Sequence, residues 1–525
     1  MIKGSSVGLL APVVAFLPSA ALSLTESLLI GLYFSLFLLL AVFGFHRLLM
    51  VVLYLRHRKP VQTPSVPREA LPRVTIQLPL FNEMYVAERL IDAVCALDYP
   101  KDRLEIQVLD DSTDETREIV AQRVAAQRAA GFQIHHLHRT DRSGFKAGAL
   151  DAGLRQATGE LVAIFDADFV PPQDLLLRTI PHFQDGRLGM VQVRWEHLNR
   201  EWSLLTRIQA ILLDGHFVVE HTARNRSGRF FNFNGTAGVW RRSCIADAGG
   251  WQHDTLTEDL DLSYRAQLRG WRFLYLPEIT APAELPAEMN AFKSQQHRWT
   301  KGSVQTALKL LPAIWRSAVP LGTKVEATFH LTNNFAYLFM AVISLLMLPV
   351  LRIRIAHADR LPGMALDCFL LLFATVAVIL FYVVSQVDQP GAGPRRGIVR
   401  RVLHMPWLIA LGIGLSLNNA RAVIEALLGH GSDFVRTPKF AIVRGADTWQ
   451  GKRYRAIKNL LPYLEILLGL YLTATVVVAT SHALLTTAVF LSLFAVGFLY
   501  VGVASLGGDL LRRLGLQPRT AAGPG

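Results

Sequence analysis

At 525 residues the chain exceeds the roughly 250 to 300 residues at which a single hydrophobic core stops growing, so it divides into two or more units. With 51% hydrophobic and only 18% charged residues, and a mean hydropathy of +0.30, it is too apolar for a wholly water-soluble globule and reads as a membrane protein. Its net charge of +13 is scattered among apolar stretches instead of forming a basic tail, which speaks against nucleic acid as a partner and for charge that flanks a bilayer.

The apolar stretch Val7 to Leu24 is interrupted by Pro12 and Pro18. It suits a signal peptide, a second span or an interfacial segment. Ser27 to Phe45 is long enough to span, and its apolar character continues past His46 and Arg47 to Leu55. The cluster Arg56 to Lys59 then marks the cytoplasmic side, so the region that follows is cytoplasmic too. The three cysteines, Cys95, Cys244 and Cys368, are far apart and at no metal-binding spacing, which agrees with a reducing compartment.

From Arg73 to Arg194 short β-rich runs alternate with helical patterns. The runs are "RVTIQLP", "LEIQVLD", "FQIHHLH", "ELVAIFD" and "LGMVQVR". Such alternation predicts right-handed βαβ units and a mainly parallel sheet. Ligands of open α/β sheets bind beyond the carboxyl ends of the strands, and here those ends read "PLFNE", "DDSTD" and "DADF". Four late apolar runs follow: Phe329 to Leu351, Met364 to Val384, Leu460 to Ala479 and Leu484 to Leu506. Val402 to Gly429 is apolar enough for a fifth. It is flanked by basic clusters and interrupted by Asn418, Asn419, Arg421 and Glu425, so it is expected to lie along the cytoplasmic interface.

The chemistry concentrates in five places. Asp166 and Asp168 in "FDADF" end a buried strand, and carboxylates spaced in this way can share a hard divalent cation that neutralises a diphosphate; a solvated turn has the same pattern. Asp110 in "VLDDST" can accept from a base or ribose, while its neighbours also suit a helix N-cap. Lys146, at a glycine-flanked helix start, can meet phosphate oxygens or simply be solvated. Glu258, Asp259 and Asp261 in "TEDLD" supply a candidate general base, or helix N-terminal acids that complement the macrodipole. In "SQQHRWTKG" a helix from Pro286 to about Leu310 puts Gln295, Arg298 and Trp299 on one face, with His297 turned away. Arg suits phosphate and Trp suits the apolar face of a sugar, although an interfacial anchor helix uses the same residue types.

The ordered series Asp110, Asp166-x-Asp168, Thr257-Glu258-Asp259 and Gln295-x-x-Arg298-Trp299, followed by membrane spans, resembles the processive membrane glycosyltransferases of family 2, the cellulose, chitin and hyaluronan synthases. The wording "FNFNGTAGVWR" and "ELPAEMNAFKSQQHRW" looks most like the cellulose-synthase-like A and C branches. That resemblance implies an α/β GT-A type cytoplasmic domain, Rossmann-like with a mainly parallel sheet, plus an α-helical transmembrane domain with amphipathic interface helices. It divides the chain into an N-terminal membrane segment at 1–60, a glycosyltransferase domain at 61–284 and interface helices at 285–328. Two spans at 329–386, an interface helix and gating loop at 387–458, two spans at 459–507 and a cytoplasmic tail at 508–525 complete it.

The resemblance also implies roles. Glu83, Asp110, Lys146 and Arg298 would bind the nucleotide-sugar donor, and Asp166 and Asp168 its diphosphate with Mg2+ or Mn2+. Asp259 would be the catalytic base of an inverting transfer. Asn234, Gly235, Thr236, Glu258, Gln295 and Trp299 would receive the growing β-glycan acceptor. The "FVRTPK" segment resembles a cytoplasmic gating loop and supplies Phe434, Thr437 and Lys439, with Arg436 where the family has valine. The expected activity is a processive, metal-dependent hexosyltransferase that polymerises a β-1,4 glycan and moves it across the bilayer, with UDP-glucose favoured as donor. GDP-mannose-dependent mannan or glucomannan synthesis and single-sugar transfer to a lipid are the alternatives. Accessory export proteins are conceivable partners. Arg396 and Arg400 form an R-x-x-x-R pair, but no β-rich domain follows the last span, so no fused cyclic-di-GMP receptor is expected.

Overall fold

The computed structural model describes residues 22–358, 365–388, 395–431, 436–443, 447–449, 452 and 460–513. The apolar segment from Val7, Phe434 and the last twelve residues lie outside them.

Seven strands form one sheet in the order β3-β2-β1-β4-β6-β5-β7. They are β1 Val74–Leu80, β2 Leu104–Asp110, β3 Gln133–His138, β4 Leu161–Ile164, β5 Leu188–His197, β6 Gly238–Arg241 and β7 Arg272–Ala283. Only β6 runs against its neighbours, so the sheet is mainly parallel as the alternating pattern predicts. The five strands expected from sequence are all present. β6 and β7 are additional, because β6 is four residues long after a glycine-rich turn and β7 is broken by Pro277 and Pro282, which remove ladder donors.

Alternate side chains feed two cores. Ile76, Ile106, Ala163, Val191 and Val239 pack on one face with the helices Ala87–Cys95 and Thr116–Ala129. Val162, Ile164, Met190 and Trp240 pack on the other with Phe145–Gln156 and Glu258–Leu268. Both faces are covered, which is why these strands read as continuous apolar runs.

Between β5 and β6 the chain forms a helix, Leu204–Asp214, that continues through a π-helical stretch, Gly215–His221, into Thr222–Arg226. It joins the sheet to the membrane helices, packing Val218 and Val219 with Met50, Val51 and Tyr54 of helix Leu24–His57 and with Phe381 and Tyr382. At 34 residues, Leu24–His57 is about 51 Å long, well beyond the ~30 Å a bilayer core requires. Its carboxyl-terminal part is therefore protein-covered, and Arg47 pairs there with Glu220.

Among the described residues, four helices are long and apolar enough to cross a membrane: Leu24–His57, Phe335–Ala356, Leu461–Ser481 and Leu485–Leu506. The second begins six residues later than Phe329, because the chain turns at Asn333 and Asn334 and Phe329 belongs to the preceding helix, Leu321–Thr332. The expected span at Met364 to Val384 is helical over Ala365–Val387. The stretch expected to lie flat at the interface is instead two helices, Met405–Gly414 and Ser416–Leu427, bent by 42°. The first packs so closely on Leu485–Arg513 that a Cβ on Gly414 would stand 2.3 Å from the Gly497 carbonyl oxygen.

Candidate active site

The carboxyl ends of β1, β2 and β4 open into a cleft lined by Glu83, Asp111, Lys146, Asp166, Asp168, Asn234, Gly235, Glu258, Asp259, Gln295, Arg298, Trp299, Arg436, Thr437 and Lys439. Nearly every residue singled out from the sequence therefore converges on one cavity.

Asp166 and Asp168 follow β4, with the Asp166 N–H donating to Thr236 Oγ1 at 2.9 Å. Each carboxylate holds an ammonium. Lys146 Nζ lies 2.5 Å from Asp166 Oδ1 and 2.8 Å from the Gly235 carbonyl oxygen. Lys439 Nζ lies 2.6 Å from Asp168 Oδ2. Burial disfavours charge on both lysines, but the aspartates outweigh it and raise both above the ordinary lysine range.

Glu258 and Asp259 form the first turn of the helix Glu258–Leu268, capped by Thr257. The Asp259 carboxyl is pushed up to about 7, first by burial and then by the neighbouring Glu258 carboxylate, with Lys146 opposing. Glu258 is raised for the same first reason. Gly235 adopts φ 78°, and a Cβ there would stand 3.1 Å from Asp259 Oδ2 and 3.3 Å from Lys146 Nζ. This glycine serves both a left-handed turn and the close approach of backbone to the carboxylate.

Gln295, Arg298 and Trp299 project from the helix Met289–Arg316 into the cleft, as the helical spacing predicts. The Glu288 side chain caps this helix by accepting from the N–H groups of Asn290 and Ala291. Burial lowers the Arg298 guanidinium, while Glu258, Asp166 and Asp259 keep it charged. His297 faces away, with Nε2 3.2 Å from Glu425. Gly302 lets the helix meet the cap of its neighbour, since a Cβ there would fall 2.5 Å from Thr257 Cγ2.

The segment 436–443 folds over the cleft. Arg436 Nη1 reaches Glu83 Oε2 at 3.1 Å, Thr437 is buried, and the Phe440 N–H donates to Glu284 Oε1 at 2.9 Å. Burial pushes Glu83 up to about 8 against the pull of Arg436 and Lys439.

Asp110 departs from the expected placement. It is fully buried and its neighbour Asp111 lines the cleft, gripped by Arg139 at 2.6 and 2.8 Å. Burial opposes ionisation of Asp110, but hydrogen bonds from His136 and Ser112 hold its carboxyl below the ordinary range.

A second cavity adjoins the first and shares Trp195, Asn234, Thr257, Asp259, Gln295 and Trp299 with it. It extends to Tyr337, Tyr382 and Leu415 on the membrane-side helices. Trp195, 6.4 Å from the Trp299 ring, also lies at this junction. His216 and His221 clamp the Asn234 amide, at 3.0 Å to Nδ2 and 2.5 Å to Oδ1. None of these three was singled out from the sequence; the i, i+4 pair His216 and Glu220 in "DGHFVVEH" is the available signal.

A family model described as "Glycosyltransferase like family 2" matches residues 72–302. The chain is 36% identical over 386 residues to the probable glucomannan 4-beta-mannosyltransferase 2 of Oryza sativa subsp. japonica, covering 72% of this chain and 64% of that protein. It is 35% identical over 374 residues to the probable glucomannan 4-beta-mannosyltransferase 3 of the same plant, covering 70% of this chain and 67% of that one. Among solved structures, the mannosyltransferase PcManGT from Pyrobaculum calidifontis, in complex with GDP-Man and Mn2+, matches at 23% identity and a TM-score of 0.46, over 73% of this chain and 99% of that one. The first of these relatives is thus spanned for somewhat less than two thirds of its length and the second for about two thirds. With its family match ending at the Gln-x-x-Arg-Trp helix and its relatives matching well beyond the sheet, the chain belongs to the glycosyltransferase 2-like family, on the cellulose-synthase-like branch of the glucomannan mannosyltransferases.

Proposed function

We propose that the protein is a membrane-embedded, inverting hexosyltransferase that extends a β-1,4 mannan or glucomannan from GDP-mannose. The observation that carries this reading is the position of Asp259, whose carboxyl borders both the carboxylate-rich cleft and the cavity that runs toward the membrane helices. A donor in the first and an acceptor in the second would meet at this one base. The relatives favour mannose: both carry mannosyltransferase names, and neither names glucose as the transferred sugar, which weighs against UDP-glucose.

In this mechanism Asp259 takes the proton from the acceptor hydroxyl as that oxygen attacks the anomeric carbon from the face opposite the diphosphate. A base raised to about 7 is matched to that task near neutral pH. Lys146 and Arg298 stand where the departing diphosphate gathers charge. Trp299 and Gln295 hold the terminal sugar, with Asn234 fixed by His216 and His221 and Glu258 beside it. Glu83, Thr437 and Lys439 close over the donor, and Asp110 supports the nucleotide side from behind the cleft wall.

Asp166 and Asp168 fit a hard divalent ion, because both offer carboxylate oxygens to the cleft and both already draw a cation. Mg2+ or Mn2+ bound there would supply neutralisation of the diphosphate. The sheet domain lies in the cytoplasm on this reading, beside the basic cluster Arg56 to Lys59, and the product leaves through the chain's own spans.

The test is product formation by the purified full chain in lipid nanodiscs with GDP-mannose, GDP-glucose or UDP-glucose and Mg2+ or Mn2+. Polymer made from GDP-mannose and cut by a β-1,4-mannanase is expected. Polymer only from UDP-glucose overturns the donor, and transfer of a single sugar overturns processive synthesis.

A further inference from the structure

Away from the Asp166 and Asp168 pair, three ligand-type side chains converge at the open edge of the sheet. β3 is the edge strand, and its parallel register sets His136 beside Val108 and His138 beside Asp110. Residues two apart on a strand share a face, so both imidazoles lie on the side of the Asp110 carboxylate. His136 Nε2 is 2.8 Å from Asp110 Oδ2, and His138 Nδ1 is 3.7 Å from the same oxygen. One ligand atom from each residue falls within 4.8 Å of the others.

Two features separate this arrangement from an ordinary buried hydrogen bond. The Ser112 N–H occupies Asp110 Oδ1 at 2.9 Å, which fixes the carboxylate and leaves Oδ2 to the histidines. A single imidazole satisfies that oxygen, yet a second nitrogen, His138 Nδ1, is also directed at it while buried and without a hydrogen-bond partner. Orphaned buried nitrogens are costly, and a metal is one way of satisfying them.

We propose that Asp110, His136 and His138 form a binding site for a borderline transition metal of the Zn2+ class, separate from the hard-cation pair Asp166 and Asp168. Two imidazoles and one carboxylate suit Zn2+, Co2+ or Ni2+ better than Mg2+. Ligand atoms about 2.1 Å from a tetrahedral ion lie about 3.4 Å apart, and the spacings of 2.8 and 3.7 Å bracket that value. Three protein ligands leave a fourth position open, and imidazoles exposed by 19% and 21% give solvent a route in. If Asp110 also supports the donor nucleotide, as proposed above, metal at this site and donor draw on one carboxylate and zinc inhibits transfer. That consequence rests on the donor reading; metal binding itself does not.

The experiment uses the full chain purified without a polyhistidine tag, stripped with chelator, loaded with ZnCl2 or CoCl2 and freed of excess ion. Wild type is expected to retain about one zinc per chain by atomic emission and to show visible Co2+ bands of a tetrahedral site. His136→Gln and His138→Gln lose both signals, Asp168→Asn keeps them, and zinc raises the melting temperature of wild type but not of the histidine variants. Equal zinc in wild type and the histidine variants, or loss of zinc in Asp168→Asn alone, overturns the site. Should the variants fail to fold, zinc-edge X-ray absorption of wild type decides by itself: a shell containing two imidazoles supports the site, and an all-oxygen shell overturns it.

Discussion

Lys439 Nζ lies 2.6 Å from Asp168 Oδ2, so the loop that covers the cleft is fastened to the second carboxylate of the D-x-D pair. An ammonium and a divalent ion compete for that oxygen. Removing one charge-assisted hydrogen bond, about 1.5 to 3 kcal/mol, should strengthen metal binding in donor-free protein by about tenfold in Lys439→Met. Mn2+ titration followed by electron paramagnetic resonance measures this. Unchanged affinity would mean that Asp168 is not a ligand.

Asp259 governs the pH dependence. The base acts only when deprotonated, so with its carboxyl at about 7 in the free protein, kcat/KM should fall tenfold per pH unit below that value and level off above it. Asp259→Asn removes transfer and leaves nucleotide binding, measured by calorimetry, largely intact. Stability carries the opposite sign. A carboxyl raised above its unfolded value favours folding at low pH and loses that contribution as pH rises through about 7, so Asp259→Asn should melt a few degrees above wild type at pH 8 and no higher at pH 5.

Gly235→Ala tests the turn against the base. The new Cβ meets Asp259 Oδ2 at 3.1 Å at a residue held at φ 78°, a conformation that costs a side-chain-bearing residue about 1 to 3 kcal/mol. Turnover should drop at least tenfold, while a melting curve still shows a cooperative transition. Wild-type turnover would separate the turn from the chemistry.

Trp299 borders both cavities, and its removal should fall unevenly on the two substrates. Trp299→Ala is expected to shorten product chains and raise the acceptor requirement, with donor affinity changed less than threefold. Chromatography of the product and nucleotide binding read the two effects, and equal losses would reduce Trp299 to an interfacial anchor.

Residues that act through a local period were legible. Gln295, Arg298 and Trp299 share a helix face because 3.6 residues make a turn, and the carboxylates after β1, β2 and β4 fall together because parallel strands align their ends. Contacts between distant segments left no such trace. The fit of Gly302 on Thr257 and the clamp of His216 and His221 on Asn234 depend on how separate helices meet, which no single-segment period encodes. Asp110 shows the reverse case: its strand end was correct, but one residue of alternation sent Asp111 into the cleft and Asp110 behind it. The break between Gly414 and Ser416 was hidden because the apolar composition runs on through it.

The first span contributes more than an anchor. His46 Nε2 binds Glu326 at 2.8 Å, Arg224 Nε binds the same carboxylate at 2.9 Å, and Arg47 meets Glu220, which Arg224 also contacts. A soluble fragment cut after residue 60 would strand Glu326 and Glu220 with fewer partners than buried charges require, and breaking such pairs costs about 3 to 5 kcal/mol. Catalytic and membrane parts therefore mature together, and reconstitution from separately expressed halves requires Leu24–His57 in the same tube.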